Sequence, residues 1–185
     1  MPQMTSFLMT GAHPLQKDGE GTDETRVVTE LKKLRLQQPL SRELSSTLMR
    51  ILGRTSSNRI RNAAALATVD CQVPGASDIL LELLRRPDTQ GARGTLLYAL
   101  QVLGTKIPLN TLIDLIITDT FESREEAGTF IRSGQYAAST SEVLLARQTL
   151  KAALPGTDEE RGRAITSALQ YLPTSRIKRR VSTRA

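Results

Sequence analysis

The 185-residue chain is predicted to be all-α and assembled from repeated helix pairs, on three observations. Its apolar residues are nearly all Leu, Ala, Ile and Val, with three Phe, three Tyr and no Trp. That composition suits helices packed on helices better than sheets. Residues 91–104, GARGTLLYALQVLG, place Leu96, Leu97, Leu100 and Leu103 three, four, seven and ten positions after Arg93, which is one face of a helix spanning the segment. The layout recurs: Arg61, Arg93, Arg124 and Arg161 are spaced 32, 31 and 37 residues apart, each followed by small or apolar residues at plus three and plus four. Self-similarity at such a period is the signature of a stacked helical array.

Residues 1–25 mix Gly, Thr, Asp, Lys and Pro without periodicity and read as a flexible leader. Over residues 26–39, Val27, Leu31 and Leu34 share a face, predicting an N-terminal capping helix that Pro39 stops. Ser41 is placed to N-cap the next helix, whose stripe is Leu44, Leu48, Ile51 and Leu52, and residues 59–69 form its partner. In the second pair Ile79, Leu80, Leu83 and Leu84 precede a turn at Pro87-Asp88 and the 91–104 helix. The third has Leu112, Ile113, Ile116 and Ile117, a turn over 119–122, then Arg124 with Ala127, Gly128 and Ile131. The fourth spans 141–154, turns at Pro155-Gly156, and continues through Arg161 with Ala164, Ile165 and Ala168. Ser123 with Glu126, and Thr157 with Glu160, fit the capping box, in which side chain and backbone satisfy each other's free donors.

Over residues 42–172 these segments resemble HEAT repeats: an apolar first helix, a turn with an acid, then a hydrophobic residue and an arginine opening a second helix rich in Ala and Leu. DTQGARGTLLYALQVLG carries the pattern best and SNRIRNAAALATV next. The third pair has Ser123 where an apolar residue is usual, and the fourth has a longer turn with both Arg161 and Arg163. The resemblance implies a short right-handed α-α solenoid of about four HEAT-like pairs capped by residues 26–39, because so short a pair completes its core only against neighbours. It implies that second helices line a concave face, where positions plus one, plus five and plus eight carry Tyr98, Gln101, Thr129, Arg132 and Thr166, with Arg163 nearby, as partner-binding residues. It further implies that Arg61, Asp88, Arg93, Asp119, Arg124 and Arg161 form a structural ladder between repeats, Asp88 and Asp119 each lying five residues before an arginine. The alternative for the arginines is a comb of phosphate contacts. Tyr98 is open between contact with a partner and packing over a neighbouring turn.

The single histidine, His13, lies in the leader, so histidine acid–base chemistry, a catalytic triad and a His-pair metal site are not expected. With Cys71 as the one cysteine, neither an intrachain disulfide nor a thiolate zinc site can be assembled, and the residue reads as a small core or half-exposed side chain. Asp23-Glu24, Glu125-Glu126 and Asp158-Glu159-Glu160 fall at or near helix starts, where carboxylates oppose the amide dipoles. No apolar run approaches the ~20 residues of a membrane span. The N-terminus lacks the positive charge of a secretory signal. A cytoplasmic, reducing setting is the expectation.

Net charge is +6, but Arg176, Lys178, Arg179, Arg180 and Arg184 put five positive charges into the last ten residues, so the body is nearly neutral. Residues 174–185 read as a basic flexible tail open to nucleic acid, an acidic protein or an anionic membrane surface. Arg179-Arg180-Val181-Ser182 also matches the pattern recognised by basophilic kinases. The expected function is a non-catalytic scaffold or adaptor, without metal or cofactor, that holds another protein or a peptide along the concave face. The alternatives are a nucleic-acid-binding HEAT-like protein using the tail and groove arginines and, by family analogy, a HEAT-like lyase or assembly chaperone.

Overall fold

The computed structural model describes residues 20–36 and 39–174, and there the chain is all-α, with nine α-helices, one 3-10 turn and two two-residue strands. No helix among the described residues is long and apolar enough to cross a membrane. The chain divides into two compact units, Met1–Thr105 and Lys106–Ala185. The tail arginines and lysine at 176, 178, 179, 180 and 184, and leader residues 1–19 with His13, lie outside the described residues.

The first unit contains α1 (Glu20–Leu34), α2 (Arg42–Arg54), α3 (Asn58–Asp70), α4 (Ala76–Arg85) and α5 (Gly94–Val102), with the 3-10 turn at Pro87–Thr89. The helix expected over 26–39 thus starts and ends earlier than its periodicity indicated. Its core face is Val28, Leu31 and Leu34, with Val27 half-buried. Lys32 and Lys33 in its last turn suit the negative end of the helix. Ser41 caps α2, its Oγ accepting from the Leu44 amide at 3.2 Å. Helix α2 packs on α4, while α3 packs on both α1 and α5, so first helices and second helices form separate layers. Buried Ala63, Ala64, Ala65 and Ala67 let α3 be approached closely by its neighbours.

The helix expected over 91–104 is shorter, because Gly91 and Gly104 at its two ends take φ of 80° and 69°. Gly104 belongs to a device that recurs. Its amide bonds to the Gln101 carbonyl at 3.0 Å, and that of Thr105 to the Leu100 carbonyl at 3.0 Å, the paired bonds of a Schellman cap. Gln72 does the same at the end of α3, with Val73 donating to the Thr68 carbonyl at 2.9 Å and its own φ at 50°.

The second unit runs β1 (Ile107–Pro108), α6 (Leu109–Thr118), α7 (Phe121–Ser133), β2 (Tyr136–Ala137), α8 (Thr140–Ala153) and α9 (Glu159–Tyr171). Helix α6 packs on α7 and α8, and α7 packs on α9. Gly134 ends α7 with the same cap, Gln135 donating to the Phe130 carbonyl at 3.0 Å. The strands pair in parallel, Ile107 with Tyr136 and Pro108 with Ala137, each leading into the first helix of a pair.

Neither expected capping box forms. Helix α7 starts at Phe121 after Thr120, because Asp119 both ends α6 and accepts the Thr120 amide at 2.7 Å. Ser123 therefore sits buried inside the first turn. At α9 the stronger capping residue wins: Asp158 accepts the Arg161 amide at 2.8 Å, and Thr157 donates to the Leu154 carbonyl instead. The capping box is at α8, between Ser139 and Glu142, whose carboxyl is held below its usual range by hydrogen bonds from Ser139.

Candidate interaction surface

Three of the four register-setting arginines perform the same backbone task. Nη2 of Arg61 donates to the Thr55 carbonyl at 3.1 Å, that of Arg93 to Arg86 at 3.0 Å, and that of Arg124 to Asp119 at 3.0 Å. Thr55, Arg86 and Asp119 are the C-cap residues of α2, α4 and α6. Each arginine thus bonds a helix-end carbonyl, that of Arg86 being shared with the amide and hydroxyl of Thr89, and brings a cation to the negative end of the dipole.

Acids from the following pair join two of them. Arg61, fully buried, lies 3.3 Å from Asp88, and Arg124 donates to Glu160 at 2.6 Å. Burial pulls the Arg61 pKa down, while Asp88 opposes that shift. Asp88 is gripped in turn by Arg86 through two bonds of 2.9 and 2.7 Å, which hold its carboxyl below the usual range. Arg161 departs from the series, since its Nε is 3.9 Å from Asp158 in its own first turn. With Arg61 and Arg124 buried and engaged, a comb of phosphate contacts from the repeated arginines is not what the geometry presents.

Counting from the same arginines sorts the second-helix faces. At plus seven, Thr68, Leu100, Ile131 and Ala168 are all buried. At plus five, Leu66 and Thr129 are half-buried, Tyr98 is 47% exposed, and Thr166 is exposed. Tyr98 and half-buried Gln101 share α5, where Leu96, Leu97, Ala99 and Leu100 are buried. Val102, one turn beyond Tyr98, is 54% exposed and extends its apolar surface. Continuing the register by four from Tyr98 would have found it.

In the second unit, exposed Arg132 donates to Thr129 Oγ1 at 2.7 Å, and Thr129 donates to the Glu125 carbonyl at 3.0 Å. Beside them burial pushes the Glu126 carboxyl up, with Arg132 drawing it down and Glu125 pushing it further up. Arg163 and Thr166 on α9 line an open depression of about 360 Å³ with Leu154, Glu159 and Ser167. The two sets lie on helices packed against each other, α7 and α9.

Comparison of the chain with models of protein families, with curated proteins and with solved structures finds no match. The functional reading therefore rests on these side chains.

Proposed function

We propose that the chain is a non-catalytic adaptor whose four HEAT-like pairs form a short right-handed α-α solenoid and whose second-helix face holds a protein or peptide. The observation that carries this reading is the open plus-five position of α5. There Tyr98, with Val102 beside it, leaves the core on a helix whose other apolar side chains are mostly buried. Tyrosine combines contact area with a polar tip and is enriched at interfaces. Gln101 in the first unit, and Thr129, Arg132, Arg163 and Thr166 in the second, supply polar groups to the second helices of their own units. The pairs Arg61–Asp88 and Arg124–Glu160 are engaged in closing turns, which supports a structural rather than a chemical role for them. A reducing, cytoplasmic setting goes with this reading.

The test is affinity capture from the native cell with the full chain, its Tyr98→Ala/Val102→Ala variant and its Arg132→Glu variant. Loss of one reproducible protein partner in the first variant, with folding unchanged by circular dichroism, supports the face. Full retention of every partner by both variants rejects it.

A further inference from the structure

One end of the first unit collects arginines beyond those its helix ends can use. Arg86, just after α4, donates from Nη1 to the Gly53 carbonyl at 2.7 Å, which fixes the C-terminal end of α4 against that of α2. Arg54 and Arg85, the last residues of those helices, are thereby brought to the same end, with Arg50 one turn back on α2. All three are exposed, and none has a hydrogen bond or ion pair to a described residue.

The helix-end carbonyls do not account for them. That of Gly53 is taken by Arg86, that of Thr55 by Arg61 and that of Arg86 by Arg93. The carboxylates placed near them are Asp88, already gripped by Arg86 and Arg61, Glu82, which acts on Arg86, and Glu43, which lines an open depression with Arg50. Five arginines (50, 54, 61, 85 and 86) therefore stand near three carboxylates, and the three exposed arginines bond none of them.

We propose that Arg50, Arg54 and Arg85 form a contact surface for the phosphate backbone of a nucleic acid, separate from both the tail and the second-helix face. Arg50 and Arg54 stand about 6 Å apart along the helix axis, so their long side chains reach successive charges of a polyanion rather than converge on one. No tyrosine, phenylalanine or histidine belongs to the cluster, so it contacts backbone without stacking on or reading bases.

The experiment is fluorescence anisotropy of a labelled duplex of arbitrary sequence with the full chain, over about 50–200 mM salt. Arg54→Glu/Arg85→Glu is expected to weaken binding at least about tenfold and to lower the slope of log K against log salt by about 2. Arg54→Lys/Arg85→Lys should stay within about threefold of the native chain, since backbone contact needs charge more than fork geometry. An Arg179→Glu/Arg180→Glu tail variant separates any contribution of the tail. The proposal fails if the native chain does not bind the duplex, if the Arg54/Arg85 reversal binds as the native chain does, or if the tail variant alone abolishes binding. It also fails if anionic phospholipid vesicles are bound and the duplex is not.

Discussion

Arg61, a guanidinium with no exposed surface, donates at 3.1 Å to the carbonyl of Thr55, the residue that ends the preceding helix. One side chain thus closes a helix pair by way of the backbone, and Arg93 and Arg124 repeat the bond. Alanine at 61 removes a large buried side chain and leaves that carbonyl without the guanidinium, an expected loss of about 2–4 kcal/mol. Arg124→Ala should lose less, because that guanidinium is slightly less buried and bonds Glu160 and the Asp119 carbonyl, where Arg61 bonds Asn58, the Thr55 carbonyl and Asp88. Arg161→Ala should lose least, since the side chain is a third exposed and holds only a loose pair within its own turn. Urea midpoints of the three variants check the order; equal losses would refute burial as its cause.

The recurring left-handed cap gives a second test. A Cβ added at Gly104 would meet nothing within 4 Å, so Gly104→Ala probes backbone conformation alone and should destabilise by about 1 kcal/mol. Gln72 adopts the same conformation with a side chain. Gln72→Gly should therefore stabilise, by up to about 1 kcal/mol, less the entropy glycine adds to the unfolded chain. Paired thermal melts should show shifts of opposite sign, each of about 2–4 °C.

These two cases show what the amino-acid pattern disclosed and what it hid. The helix pairs were legible because Leu and Ile recur at the helical period wherever a face is buried. The C-cap of α3 was hidden because glutamine stands where the other pairs have Gly104 and Gly134. The arginine register was visible, but its acceptors were not: a backbone carbonyl has no residue signature, and it lies six, seven and five positions back. Helix starts misled wherever two capping residues compete, as with Thr157 and Asp158. At the surface, the pattern marks Tyr98 but not Val102, since a valine beside a ladder of leucines carries no polar tip to set it apart. Arg54 and Arg85 drew no attention in a charge-balanced body, because only the tertiary bond from Arg86 to Gly53 brings them together.

Two carboxylates should move stability with pH in opposite directions. Burial raises the Glu126 pKa, so the folded chain prefers it protonated. Its penalty is complete above the folded pKa and gone below the unfolded one. The bond from Arg86 lowers the Asp88 pKa, so its contribution is complete above the unfolded pKa and lost as pH falls through the folded one. Glu126→Gln should accordingly raise the urea midpoint near about pH 7 and change it little below the ordinary carboxylate range of about 3.9–4.3. Asp88→Asn should lower the midpoint near neutrality, and that deficit should shrink in acid. The same sign for both substitutions at neutral pH would contradict the assignment.

Cys71 closes α3 in a setting that keeps its thiol protonated. Burial raises its pKa first, Asp70 raises it further, and Arg35 opposes them. The thiol donates to the Leu34 carbonyl at 3.4 Å, so the proton also ties α3 to α1. Because the thiolate is the nucleophile, alkylation by iodoacetamide at neutral pH should be slower than that of an unfolded control, and should rise at higher pH than for an ordinary thiol. Asp70 also pairs with Arg35, so Asp70→Asn removes a like charge and releases a cation toward the sulfur. Both changes favour thiolate. The variant should therefore alkylate faster than the native chain at about pH 7.5, with its rate–pH profile moved to lower pH. An unchanged profile with intact folding would show that burial alone governs this thiol.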